Sequence, residues 1–285
     1  MKPFRILLAA ALVGLSLPAA ALEPFSDTSR LVSIGGSLTE IIYALGEEAK
    51  LVARDQTAVY PPEALELPDV GYMRALAPEG VLSVSPTALL VIEGSGPPEA
   101  LEVLSHAGVE YQTVPESFSH EGVVAKIRAV GEALGVPDKA EALATEIDAA
   151  LAAAEEKTAG LEQRKRVLFI LSMQGGKVNA SGTGTAANGI IELAGAVNAI
   201  QDYEGYKQLT EEAVIAAAPD VILMMDRGGD HAASEAEMLS HPAISLTPAA
   251  QNHAFIRMDG AYLLGFGPRT AEAVTDLVEA LYPEL

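Results

Sequence analysis

The residues best suited to chemistry in this chain are a phenol and a guanidinium set two apart. Tyr72 and Arg74 lie in Gly71-Tyr72-Met73-Arg74, directly after Leu67-Pro68-Asp69-Val70. In an extended or turning segment, side chains two apart project to one side, so the Arg74 cation can sit beside the Tyr72 oxygen. A cation beside a phenol favours the phenolate, a form that otherwise appears only near pH 10. Phenolate is a hard anionic donor of the kind that ferric haem iron accepts. The plainer reading of the same four residues is a loop tyrosine packed on its neighbour.

The elements that must carry this pair alternate in type. A buried strand, Leu31-Val32-Ser33-Ile34, runs through Gly35-Gly36-Ser37 into a helix whose apolar stripe is Leu38, Ile41, Ile42 and Leu45. Ser37 with Glu40 three residues on reads as its N-terminal cap, and Gly46 stops it. A short strand at Leu51-Val52-Ala53 leads into a loop over 55–69 containing Pro61, Pro62 and Pro68. A short helix from Pro78, a strand Ala88–Ile92, a helix Pro98–His106 and a strand Val109–Val114 follow. Strands alternating with helices predict a parallel sheet with helical crossovers. Residues 120–164 carry no strand signal. One helix there contains Ile127, Val130 and Leu134, and a longer one runs from Asp138 through Leu143, Ile147 and Leu151.

After Arg166 the first half starts again. The strand Val167–Leu171 leads through a glycine-rich turn to a helix in which Ile190-Ile191 precede Gly195, as Ile41-Ile42 precede Gly46. Gly205-Tyr206 stands before Leu209-Thr210-Glu211-Glu212 as Gly71-Tyr72 stands before Leu76-Ala77-Pro78-Glu79. Pro86 and Pro219 hold the same place after Glu79 and Glu212, and a strand follows each. This divergent repeat predicts two similar α/β lobes, 22–119 and 165–285, joined through a helical connector at 120–164 with the ligand cleft between them. In the C-terminal stretch Met258–Thr270, glycines and a proline mark a tight backbone path, and Thr270 reads as the cap of a last helix.

Composition narrows the function class. The 285 residues are 49% hydrophobic, enough for a substantial core. Residues 1–21 read as a secretory signal: Lys2 and Arg5, then an apolar run from Ile6 to Leu17, then Ala19-Ala20-Ala21 as the cleavage site. The run is short of the roughly 20 apolar residues a membrane span needs. There is no cysteine, hence no disulfide, no thiolate metal site and no lipid-bearing cysteine at the cleavage point. A free periplasmic protein is the expectation. Without the signal the chain carries 16 Lys and Arg against 39 Asp and Glu, a formal charge of −23. Such a surface repels nucleic acid and anionic lipid and suits a basic docking face on a partner.

Taken together, Leu67–Arg74, Glu79–Ser83, Gly205-Tyr206-Lys207 and Leu263–Arg269 make the chain resemble the periplasmic haem-binding proteins of bacterial haem ABC importers over nearly its whole length. The resemblance implies the architecture in which two α/β lobes are joined by a single long helix. It implies that Tyr72 is the axial ligand of ferric haem b, the transported cargo, with Arg74 supporting the phenolate. It implies further that Glu79 and Glu212, one per lobe, dock a monomeric protein onto an inner-membrane ABC permease with its ATPase. Some relatives supply a second-lobe histidine where this chain has Met173. A thioether prefers softer, reduced iron, so Met173 reads as pocket lining beside five-coordinate iron. Lys177 and Arg227 are candidates for the haem propionates. Tyr206, with Gln208 where Arg74 stands in the first lobe, reads as the opposite cleft wall.

A ferric siderophore or a corrinoid fits the same architecture. A bare metal ion would need converging ligands, and His106, His120, His231, His241 and His253 show no ligand spacing. An enzyme is the remaining rival: Gly182-Thr183-Gly184-Thr185 lacks the Lys-Ser/Thr ending of a phosphate loop, and no Gly-x-Ser-x-Gly elbow occurs. A non-enzymatic binding protein is the expectation.

Overall fold

The computed structural model describes residues 22–226 and 234–285. Its first sheet contains β1 (Leu31–Ile34), β2 (Leu51–Arg54), β3 (Ala88–Ile92) and β4 (Glu110–Val114), all parallel in the order β2-β1-β3-β4. The helices α1 (Gly36–Ala44), α2 (Pro78–Leu82) and α3 (Pro98–Ser105) make the crossovers. All of β1 and β3 is buried, as befits central parallel strands covered on both faces.

The second sheet repeats this frame. It is built from β5 (Arg166–Gln174), β6 (Lys177–Ser181), β7 (Val197–Asn198), β8 (Tyr206–Gln208), β9 (Val221–Asp226) and β10 (Phe255–Asp259). The strand β5 lies between β7 and β9, with β10 outside β9, all parallel, so β7-β5-β9-β10 matches β2-β1-β3-β4. The helices α6 (Ala186–Leu193) and α7 (Glu211–Ala217) take the places of α1 and α2. Both α1 and α6 close with the same pair of bonds, Glu47 N–H to Ile42 O and Gly46 N–H to Tyr43 O against Ala196 N–H to Ile191 O and Gly195 N–H to Glu192 O.

Four expectations change, one of them at the last helix, where Thr270 is the first helical residue and donates to Gly267 O at 2.7 Å instead of capping. The second sheet is mixed rather than parallel, because β6 folds back antiparallel on β5 and β8 pairs antiparallel with β6. The glycine-rich turn is the tip of that hairpin: Gly175 and Gly176 both take positive φ between the paired Gln174 and Lys177, the geometry a two-residue hairpin loop demands. The helix α1 is not capped by Ser37. It starts at Gly36 with no side-chain cap, and Glu40 is drawn away to an arginine of the other lobe.

Between the sheets stand α4 (His120–Ala133) and α5 (Pro137–Glu156). The twenty residues of α5 make a rod of about 30 Å. It packs against α4 and against α11 (Thr270–Leu281), the last helix after α8 (Glu235–Ser240), α9 (Pro248–Gln251) and α10 (Gly260–Leu264). A Cβ on Gly131 would lie 2.1 Å from that of Ala140, so only glycine lets α4 approach α5 so closely. One apolar core passes through both lobes and the connector, taking in Leu38, Ile41, Ile127, Leu151, Phe169, Ile190 and Leu277. Each lobe adds a second core on its far face.

Candidate functional site

The Tyr72 segment is held at the carboxyl end of β2. Arg54 exchanges backbone bonds with it, Arg54 N–H to Pro68 O and Val70 N–H to Arg54 O, both 3.0 Å. Gly71 has φ of +106°, a conformation that only glycine takes without strain, and it swings the chain into a turn closed by Ala75 N–H to Tyr72 O at 2.8 Å. Within the turn the side chains alternate. Met73 packs inward against both the shared core and the far core of the first lobe. Tyr72 and Arg74 point outward, with Tyr72 40% exposed. Neither side chain has a hydrogen-bond or ion-pair partner among the described residues.

The two lobes meet where the segment between α10 and α11 reaches α1 and the loop after β2. Arg269 of the second lobe donates to Glu40 of α1 at 2.9 Å, and its backbone N–H reaches the same carboxylate at 3.1 Å. Its guanidinium lies 3.5 Å from the ring centre of Tyr60 in the first lobe and 5.3 Å from that of Tyr262 in α10. Tyr262 donates to Asp276 at 3.0 Å; burial first, and then that carboxylate, push its ionisation well above the ordinary phenol value. Deeper in the junction, Lys126 of α4 is fully buried. It pairs with Glu116 at 2.6 Å and donates to Phe266 O at 3.0 Å, linking connector and second lobe. Burial pushes Lys126 down and Glu116 up, and their mutual attraction opposes both shifts.

The other candidate residues fall as follows. Lys177 is exposed at the hairpin tip. Met173 packs on the far core of the second lobe, because the register of β5 against β6 shifts between Ile170 and Ser172. Strict alternation would have put it with Phe169 and Leu171 on the shared core. Tyr206 is half-buried on the edge strand β8, its ring edge-on to Phe169 at 6.4 Å. Arg227 lies outside the described residues. Glu79 and Glu212 are exposed in the first turns of α2 and α7, where the helix dipole favours a carboxylate. The backbone amide of Glu212 and then the Thr210 hydroxyl hold the Glu212 carboxyl below its usual range.

Sequence reasoning passed over Asp55, Thr57 and Lys126. The signal for Lys126 was present: it interrupts the apolar stripe of Val123, Ile127 and Val130. An open cavity of about 470 Å³ lined by Asn198, Tyr203, Leu209 and Thr210 belongs to the second lobe alone. Among the described residues, no three His, Asp or Glu side chains converge in a way that could hold a bare metal ion.

Two lobes of one topology, braced by a rod and joined where Arg269 meets Glu40 and Tyr60, have the architecture of solute-binding proteins, a class that takes its ligands between lobes. The chain belongs to the periplasmic binding protein family, whose model matches residues 31–262. Among solved structures it is similar to the periplasmic heme-binding protein BhuT in complex with two hemes, at 40% identity and a TM-score of 0.84, over 89% of this chain and 98% of that one. Among curated proteins it is similar to the ABC transporter substrate-binding lipoprotein YvrC of Bacillus subtilis, 29% identical over 90% of this chain and 81% of that one. It is also similar to the vitamin B12-binding protein of Vibrio cholerae, 27% identical over 90% of each.

Proposed function

We propose that this protein captures ferric haem through the Tyr72 phenolate and delivers it to an inner-membrane ABC permease. The observation that carries the reading is the exposure of both the Tyr72 and Arg74 side chains on one short turn, neither with a competing hydrogen-bond or ion-pair partner among the described residues. Arg74 supplies positive charge beside the bound phenolate. The iron is five-coordinate, since Met173 is engaged with the second lobe's core and a thioether suits reduced iron. Lys177 at the hairpin tip and Arg227 serve the propionates. Glu79 and Glu212, at equivalent places in the two lobes, meet basic residues of two permease subunits, and the protein acts as a monomer. The likeness to a heme-binding protein at 40% identity supports haem over other flat chelates.

A titration of purified protein with ferric haem checks the ligand: a stoichiometric high-spin tyrosinate spectrum is expected, and a spectrum unchanged in Tyr72→Phe ends the assignment. For docking, Glu79→Ala and Glu212→Ala should lose haem uptake in transport assays while keeping haem affinity. A corrinoid is the second reading, favoured by the likeness to a vitamin B12-binding protein. Competition of cobalamin against bound haem separates the two.

A further inference from the structure

The first lobe contains a buried carboxylate that the ligand reading does not use. Asp55, the residue after β2, is fully buried. One carboxylate oxygen accepts from the Gly35 amide at 2.9 Å, the other from the Thr57 amide at 3.0 Å, and the Thr57 hydroxyl lies 2.9 Å from both. The Thr57 hydroxyl accepts in turn from the Gly36 amide at 2.9 Å and stands 4.0 Å from the Met73 sulfur. The Gln56 amide between them donates to Gly71 O at 2.8 Å. Three consecutive residues therefore grip both flanks of Tyr72 and tie them to the start of α1. The fit is close, since a Cβ on Gly36 would lie 2.6 Å from Thr57 O.

A carboxylate buried this deeply loses hydration that only several donors can replace, and a solvated loop does not require one. From this geometry we infer that Asp55, acting through Thr57, is the positioning residue that holds the Tyr72 turn in its iron-binding pose. The inference rests on the reading of Tyr72 as ligand. Asp55 touches no ligand itself. It fixes a neighbouring backbone, as outer partners of a metal ligand do, and the loss of such partners costs about tenfold to a hundredfold in affinity.

The test is the rate of haem transfer from the loaded protein to excess apomyoglobin, together with the tyrosinate absorption band. Both are measured for Asp55→Asn in the wild-type and Tyr72→Phe backgrounds. In the wild-type background, loss is expected to be about tenfold faster with a displaced band. In Tyr72→Phe, Asp55→Asn should add nothing, because the residue acts through Tyr72. An equal acceleration in both backgrounds, or none in either, overturns the inference while leaving the ligand reading intact. A Tyr72→Phe protein that releases haem at the wild-type rate sinks the ligand reading, and this inference with it. Should Asp55→Asn not fold, Thr57→Val is read by the same comparison, and a Tyr72-independent effect overturns the proposal in the same way.

Discussion

The two lobes have the same strand order and the same helix closures, yet they treat their repeated tyrosine in opposite ways. In the first lobe, Gly71 and the Asp55–Thr57 grip turn Tyr72 outward on a short loop. In the second, the segment after Gly205 becomes the edge strand β8, and Tyr206 lies against Phe169. The hairpin β5–β6 makes the difference, because it provides an edge for β8 to pair with and the first lobe has no such hairpin. Burial raises the ionisation of Tyr203, whose hydroxyl donates to Ala180 O, and burial with Asp276 raises that of Tyr262, as burial raises that of Tyr43 in the first lobe. A duplicated frame thus separates a presenting lobe from a covering one.

The largest expected effect tests whether the lobes nonetheless stand or fall together. Lys126→Ala leaves Glu116 without its cation inside the junction and should lower stability by about 3–5 kcal/mol. Denaturant unfolding followed by probes in each lobe should show one shared transition, because a single core runs through both. Next is the asymmetry of the tyrosines. Tyr72→Phe should weaken haem binding by about a hundredfold or more, whereas Tyr206→Phe should change it by less than about threefold; equal losses would erase the distinction between the lobes. Arg74→Ala should cost about tenfold in affinity and leave the melting temperature unchanged, since its guanidinium has no protein partner among the described residues.

The smallest effect concerns the connector that sets the lobes apart. The His120 ring lies 2.8 Å from Glu155 and 3.0 Å from Asp148 on α5. Burial works against its charge, but the two carboxylates prevail and raise its pKa above the ordinary 6.5. A pKa raised by folding adds stability that is fully present below the unfolded value and is lost as pH rises through the folded one. Stability should therefore decline as pH climbs from about 6 towards 8, and His120→Gln should flatten that slope in denaturant titrations run across the range.

Much of the frame was legible because its signals are local. Gly46 and Gly195 end helices by their own conformation, and Pro86 and Pro219 mark the same step in each lobe. The continuous apolar runs at β1, β3 and β5 could only be buried strands. Four of the Tyr72 turn's features could be read in the same way: its glycine, its phenol, its guanidinium and the spacing between the last two. The hairpin β5–β6 escaped notice because Lys177–Ser181 has little strand character of its own and is held by its neighbours. The cap predicted at Ser37 failed because Glu40 found Arg269, 229 residues away, and a pattern of four residues cannot anticipate such a partner.

By itself, then, the sequence determined the two repeated lobes, the rod between them and the residues able to present an oxygen donor, since periodicity, glycine conformation and residue chemistry act over a few positions. Only the tertiary structure decided that Tyr72 faces outward while Tyr206 packs, that Met173 is carried to the far core by a shift in register, and that Asp55 is buried beneath the Tyr72 turn. Those outcomes depend on which strand ends and loops are brought side by side, and chain segments distant in sequence set that proximity.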